Sequence, residues 1–445
     1  MAQMDRNRSS LPAEFADRFT QPFTRFLQIE AATGAILLLA VSIALLLSNS
    51  PWSSSFSDFW DTPVGVSLGP FDYGRSLRHW INDGLMTIFF FVVALELKRE
   101  LVLGELRTLR ATALSLSAAV GGMIIPAAIY LVMALGHPEA HGWGVVTATD
   151  TAFVIGCLAL LGSRIRPSLR LFLLSLAIFD DVGAILVVAL GYGHGLSWQA
   201  LALASLGLMG VVTSARIGIR SLPVFFILGG VTWLAFDSSG IHPTIAGVIL
   251  GLMTPARGWV SGDRLHSILE RVLSYPISSA WNGDTTARAD LRRASVAATE
   301  AISPVERLEL TLHPWTGFVI MPLFALANAG FTIQTADLLH PVPIAIFAGL
   351  VIGKPVGVVA FSWLAVRVGL AIRPSELTWP MLGAGALLTG IGFTMSLFIA
   401  GLAYGPEMKD IATIGIFAAS VVSAGLGLLA LTWLTSRSRI GESAP

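Results

Sequence analysis

The chain alternates long apolar runs with short polar segments, and twelve of those runs read as helices: 29–48, 79–97, 111–135, 142–162, 168–192, 198–215, 222–236, 241–254, 314–333, 342–366, 379–404 and 411–435. A helix needs about 20 apolar residues to cross a hydrocarbon core. Most of the runs meet that length, while 222–236 and 241–254 fall short of it. The runs are continuous and lack the period-two alternation of barrel strands. The pattern predicts a tail at 1–28, eight spans over 29–255, a polar loop at 256–312, four spans within 313–435 and a second tail at 436–445. In the loop, Asp263 to Ser274 alternates charge with Leu and Ile and reads as helix. In the segment 49–78, Thr62 to Gly69 reads as a short hairpin punctuated by Pro and Gly.

Composition strengthens the reading. Residues are 54% hydrophobic and only 13% charged, against about 25% charged in a soluble domain. Such a chain could not cover a water-facing surface with polar groups, so a bilayer is the expected solvent. The net charge of zero gives no global field to attract nucleic acid. Cys157 is the one cysteine, which excludes an internal disulfide or a cysteine-type zinc site. The first 28 residues include Arg6, Arg8, Arg18 and Arg25 with no short apolar stretch and small-residue cleavage site, so the first run reads as a retained helix.

Lysine and arginine orient the spans. With the amino terminus in the cytoplasm, 24 of the 28 fall in inside segments, and only Arg75, Arg78 and Lys409 lie outside. This bias fits the positive-inside rule, with both termini cytoplasmic. The remaining base, Lys354, lies within a span.

The third to fifth spans and the tenth to twelfth are offset by seven, so they run in opposite directions. That is the arrangement of an inverted repeat, which places a substrate site near the midplane. The middle member of each triplet carries a break signal. Thr147-Ala148-Thr149-Asp150-Thr151 holds four poor helix formers in five residues. Thr389-Gly390-Ile391-Gly392-Phe393-Thr394 combines glycines with threonines able to satisfy freed backbone groups.

Apart from Glu30 at the very start of the first, five acids fall within the expected spans: Asp83 and Glu96 near the two ends of the second, Asp150 in the fourth, and Asp180 and Asp181 in the fifth. An ionised carboxylate at mid-bilayer costs on the order of 2.5–3.5 kcal/mol on insertion scales, so such groups should face water or pair internally. Neighbours on a helix point about 100° apart. One of Asp180 and Asp181 can therefore face a cation pathway while the other faces another helix, with Lys354 as its natural partner. Desolvation and a nearby like charge both disfavour the charged form of a carboxylate. Such a group takes up either a proton or a hard cation that prefers oxygen ligands. If only the loaded protein switches its exposure, that competition is exchange. Thr149 and Asp150 would lie at the break in the fourth span, where Asp150 and Lys354 could offset the partial charges of opposed helix ends. His242 opens the eighth span and His313 precedes the ninth, each positioned to respond to pH.

Several motifs together resemble the NhaA family of sodium/proton antiporters over nearly the whole chain. They are Trp80-Ile81-Asn82-Asp83-Gly84-Leu85-Met86, Leu95-Glu96-Leu97-Lys98-Arg99-Glu100-Leu101, Ala148-Thr149-Asp150-Thr151-Ala152-Phe153 and Leu176-Ala177-Ile178-Phe179-Asp180-Asp181-Val182-Gly183-Ala184. Later come Ile241-His242-Pro243-Thr244-Ile245-Ala246-Gly247, Pro322-Leu323-Phe324-Ala325-Leu326-Ala327-Asn328-Ala329-Gly330, Ile352-Gly353-Lys354-Pro355-Val356-Gly357 and Gly390-Ile391-Gly392-Phe393-Thr394-Met395-Ser396. The resemblance implies an all-α membrane protein of about twelve transmembrane helices, with the fourth and eleventh interrupted and crossed. It implies Asp180 and Asp181 as the pair that binds Na+ or Li+, with Asp150 and Thr149 beside them and Lys354 partnering Asp180 when sodium is absent. It further implies electrogenic, pH-regulated exchange with no cofactor, in the bacterial inner membrane, by a homodimer joined through the external hairpin within 49–78. Glu96, Arg99, Glu100, Glu309 and His313 match its cytoplasmic pH-response cluster, and His242 matches another pH-response position. Two features depart from familiar members: the loop 256–312 is longer, and Glu306 stands where a base is usual.

The expected activity is therefore that of a transporter, not an enzyme. A sodium-coupled symporter would need a roomy pocket for an organic solute, a channel would favour rings of weaker sites, and a membrane scaffold gives no reason for adjacent acids.

Overall fold

The structure, a computed structural model, describes residues 30–68, 71–104, 109–193, 195–219, 221–274, 285–332 and 340–442. The tail at 1–28 lies outside the described residues. The chain begins with α1 (Glu30–Ser48) and a short α2 (Ser53–Asp61) bent from it by 116°. Strands β1 (Pro63–Leu68) and β2 (Phe71–Ser76) follow, paired antiparallel with Pro63 opposite Ser76 and Leu68 opposite Phe71. The stretch expected to form a whole hairpin thus supplies one strand of a larger one. The Val-Gly-Val-Ser-Leu alternation after Pro63 is a strand pattern, and its partner strand comes after Gly69, which is not described.

The helices that follow are α3 (Leu77–Val102), α4 (Leu109–Met133), a 3-10 segment (Pro138–Val146), α5 (Thr151–Leu161), α6 (Pro167–Gly191), α7 (Trp198–Ile217), α8 (Leu222–Asp237) and α9 (Thr244–Met253). Then come α10 (Gly262–Leu273), α11 (Thr285–Ala301), α12 (Pro304–Asn328), α13 (Pro341–Arg367), α14 (Trp379–Leu388), α15 (Phe393–Ala403) and α16 (Pro406–Glu442). Each apolar run of the sequence carries helix. Among the described residues, eight helices are long and apolar enough to cross a membrane, or ten if the two bent pairs are each one span. The short runs became the short helices α8 and α9, of 16 and 10 residues.

One boundary moves. Hydropathy placed the ninth span at 314, but α12 starts at Pro304, where Ser303 and Glu306 form a reciprocal capping box. The Ser303 hydroxyl accepts from the Glu306 amide at 3.3 Å, and the Ser303 amide donates to Glu306 Oε2 at 3.2 Å. A capped start satisfies orphan amides that hydropathy does not register. Glu309 and His313 therefore stand on a helix rather than in a loop.

The surface inverts the soluble rule. Leu160, Leu190, Leu206, Ile227 and Leu429 are exposed, while Asp150, Asp180 and Lys354 are buried. Apolar side chains pointing outward around a charged interior are what a lipid environment selects. α15 is the most enclosed element, buried at every position from Phe393 to Ala400. It crosses the 3-10 segment, and Ser396 donates to the carbonyl of Val145 at 2.7 Å.

Lys354 is delivered to this crossing by the packing of α13 on α4. Their backbones touch at Gly121 and Gly357, where a Cβ added to Gly357 would sit 2.1 Å from the Gly121 carbonyl oxygen. Small residues permit such approach between membrane helices. Gly353 to Gly349 on the preceding turn forms a π stretch, a local overwidening common near functional sites. Overpacking a close contact typically costs about 1–3 kcal/mol. Gly357→Ala is therefore expected to lower the unfolding temperature in detergent, and an unchanged temperature would contradict the contact.

Candidate ion site at the helix crossing

Two helical runs are broken where they meet. The 3-10 segment ends at Val146 and α5 begins at Thr151, and α14 ends at Leu388 before α15 resumes at Phe393, bent by 52°. Poor helix formers fill the first gap and glycines the second, as the local sequence requires. Each gap frees backbone groups that must find partners away from water. They find them across the crossing. The Asp150 amide donates to the Ile391 carbonyl at 2.7 Å, and the Thr149 hydroxyl lies 2.9 Å from the Thr389 carbonyl. The Phe393 amide donates to Ser420 at 3.2 Å.

Charged side chains complete this set. Asp150 is the N-cap of α5, its Oδ1 accepting from the Phe153 amide at 3.2 Å. Its Oδ2 accepts from the Thr394 amide at 3.0 Å and from the Thr394 hydroxyl. One carboxylate thus serves the positive ends of two helices, α5 and α15. Lys354 serves a negative end instead. Its Nζ donates to the Thr147 carbonyl at 2.6 Å, at the carboxyl end of the 3-10 segment. The same ammonium lies 3.1 Å from Asp180 Oδ2, with both side chains fully buried.

Asp180 and Asp181 diverge as neighbours on a helix must. Asp180 Oδ2 accepts from Thr149 at 2.6 Å as well as meeting Lys354, while its Oδ1 is buried with no hydrogen-bond partner. Asp181 Oδ2 accepts from Thr151 at 3.3 Å. The Thr149 hydroxyl carries one proton but lies near two acceptors, Asp180 and the Thr389 carbonyl. The crossing therefore gathers the carboxylates of Asp150 and Asp180 and the carbonyls of Thr147 and Thr389 around one ammonium, with Asp181 beside them on α6. Such a set suits a desolvated hard cation or a proton.

The sequence brought Asp150, Thr149, Asp180, Asp181 and Lys354 to notice, and the fold gathers all five. It also gathers Glu96, Arg99, Glu100, Glu309 and His313 at the other end of α3. Arg99 contacts Glu309 at 2.5 Å and Glu100 at 2.9 Å. His313 lies near enough to Glu96, and Glu96 to Asp181, for their charges to interact. His242 does not join them. It lies at the opposite end of α3, with its Nε2 3.5 Å from Asp83 Oδ1. Two functional groups escaped notice in the sequence. Thr394 was visible only as a backbone-satisfying residue, and Thr389 offers its carbonyl, which no residue type announces.

The family described as Na+/H+ antiporter 1 matches residues 24–431. The chain is 61% identical over 436 residues to a protein named Na(+)/H(+) antiporter NhaA from Rhizobium meliloti (strain 1021), covering 98% of this chain and 100% of that one. It is 57% identical over 429 residues to Na(+)/H(+) antiporter NhaA 1 of Acidiphilium cryptum (strain JF-5), covering 96% of each. A solved sodium proton antiporter, MjNhaP1 from Methanocaldococcus jannaschii, aligns over 91% of each chain at 14% identity and a TM-score of 0.46.

Removing one member of a buried ion pair typically costs about 3–5 kcal/mol. Lys354→Ala should thus lower thermal stability in detergent sharply, because it strands Asp180 and uncaps the Thr147 carbonyl. Lys354→Met combined with Asp180→Asn should recover part of the loss. A single variant as stable as the parent would contradict the structural role.

Proposed function

The chain belongs to the Na+/H+ antiporter 1 family, and from that premise we propose that it exports Na+ or Li+ in exchange for H+ through alternate occupancy of the carboxylates at the helix crossing. The observation that carries this reading is the buried, unpartnered Oδ1 of Asp180, a carboxylate whose other oxygen meets Thr149 and Lys354. An acceptor left without a donor in the protein interior is a place for a cation. Asp180 and Asp181 hold the ion, with Thr149 as an oxygen ligand and Asp150 holding the crossing together. Lys354 pairs Asp180 while the ion is absent and loses that partner when Na+ arrives.

The architecture is that of a twelve-span protein, with the 3-10 segment and α5 forming one interrupted span and α14 and α15 the other, related as inverted repeats. The reading places it in a bacterial inner membrane with both termini and the 256–312 segment cytoplasmic. The cluster of Glu96, Arg99, Glu100, Glu309 and His313 then lies on the cytoplasmic side, in electrostatic reach of Asp181 through Glu96. It sets the pH range of exchange, with Glu306 acting on Glu309 from the first turn of α12. Exchange is electrogenic, with more protons moving in than sodium moving out. The two-stranded hairpin is marginal by itself in water, which supports pairing with a second copy. A cavity of about 540 Å³ at the far end of α3 does not have Asp150, Asp180 or Asp181 in its lining, which favours exchange of small ions over symport of an organic solute.

The test uses everted vesicles carrying a respiration-made pH gradient. Added Na+ should collapse that gradient, and Asp181→Asn should abolish the response. No response to Na+ at any pH from acidic to alkaline would defeat antiport, and a requirement for an added organic solute would favour symport.

A further inference from the structure

At the end of α3 away from the cytoplasmic cluster, a cavity of about 540 Å³ opens among α3, the end of α8 and the loop after it, α12 and α15. Its wall carries His79, Asp83, Asp237 and His242, and its floor Leu397 and Phe398. Phe398 lies one turn beyond Thr394, so the cavity stops short of Asp150. None of His79, Asp83, Asp237 or His242 takes part in the crossing described above.

His79 and Asp83 stand four residues apart on one face of α3. His79 Nε2 lies 3.1 Å from Asp83 Oδ2 and 3.9 Å from Asp237 Oδ1. One ligand atom from each of the three residues falls within 4.8 Å of the others. His242 Nε2 approaches the second oxygen of Asp83 at 3.5 Å, and its ring is held by Thr244 at 2.7 Å and by the edge of Phe398. Arg75 contacts the other oxygen of Asp237 at 3.5 Å, orienting that carboxylate from behind. A second observation is independent of this proximity. His79 Nε2 is shielded from solvent and makes no hydrogen bond, although a carboxylate oxygen lies beside it. The ring nitrogen is near the oxygens but not directed as a donor to them.

We propose that His79, Asp83 and Asp237, with His242 in reach, bind one transition-metal dication of the Zn2+ class, and that the bound ion slows exchange. Ligand bonds of 2.0–2.1 Å in a tetrahedron place neighbouring ligand atoms about 3.3 Å apart. The His79–Asp83 separation of 3.1 Å already fits, and Asp237, 3.9 Å from His79, must move closer for the ion to be held by all three. Mixed imidazole and carboxylate donors select Zn2+ or Co2+ over Mg2+, which prefers oxygen alone and keeps its water. Two carboxylates neutralise the dication. The ion would tie α3 to the end of α8 and hold the loop before α9, bracing the wall against which Phe398 and α15 rest. Its effect on transport rests on the antiport reading, whereas its binding does not.

Tag-free protein in detergent should bind one Zn2+ per chain by calorimetry, and Co2+ in its place should give visible absorption bands of imidazole coordination. His79→Ala and Asp237→Asn should each weaken Zn2+ binding by at least about 100-fold, since even outer partners of a metal site are worth 10–100-fold. A large excess of Mg2+ should not compete. In proteoliposomes both variants should exchange Na+ for H+ at the wild-type rate and resist Zn2+, which slows the wild type. Absent binding, or binding that survives in both variants, overturns the site. Stoichiometric binding with exchange unslowed overturns the brace. Absence of exchange before any metal is added would instead count against the antiport reading.

Discussion

A carboxylate shared between two helix ends holds the centre of this molecule together. Asp150 caps α5 through the Phe153 amide and reaches across to the first turn of α15 through Thr394. Without it, two bundles of unsatisfied amides would face each other in a water-poor interior, each group costing several kcal/mol. Because Asp150 satisfies both, the helix ends at Thr151 and Phe393 can meet in the buried interior. Lys354 does the complementary work at a carbonyl end while also meeting Asp180. Structural charges and chemical charges are therefore neighbours, and an ion entering the space must alter bonds that the fold depends upon.

That coupling gives alternating access a physical basis. On the reading proposed above, Na+ at Asp180 competes with the ammonium of Lys354 for that carboxylate, and departure of the ion lets the 3.1 Å pair re-form. The polar clusters at the ends of α3 are differently built. The one at the Val102 end joins acids to Arg99, whereas the other lines a cavity that also includes Leu397 and Phe398. One helix, α3, carries residues of both.

Much of the centre was legible in the sequence because a charge inside a long apolar run is conspicuous locally. Asp150, Asp180, Asp181 and Lys354 could be picked out by that rule, and the threonines and glycines around 147–151 and 389–394 marked the interruptions. The partnerships were harder. Nothing local says that Asp150 reaches Thr394 or that Lys354 bonds the Thr147 carbonyl, since those contacts exist only once α15 crosses the 3-10 segment. The capping box at Ser303 was legible in principle, but hydropathy alone set the start of that span ten residues later. His79 and Asp237 each look like ordinary polar residues at a helix end. Only the packing of α3 beside α8 brings them onto one cavity wall.

The most direct measurement is the pH dependence of Na+ binding to the purified protein, together with the protons released as Na+ binds. Ligands that must be deprotonated release protons when a cation takes them. Where the carboxylates are protonated, the apparent dissociation constant should rise about tenfold or more for each unit of falling pH, with at least one proton released per ion. Sodium binding of constant affinity across that range, with no proton released, would show that the two ions do not compete for the same oxygens.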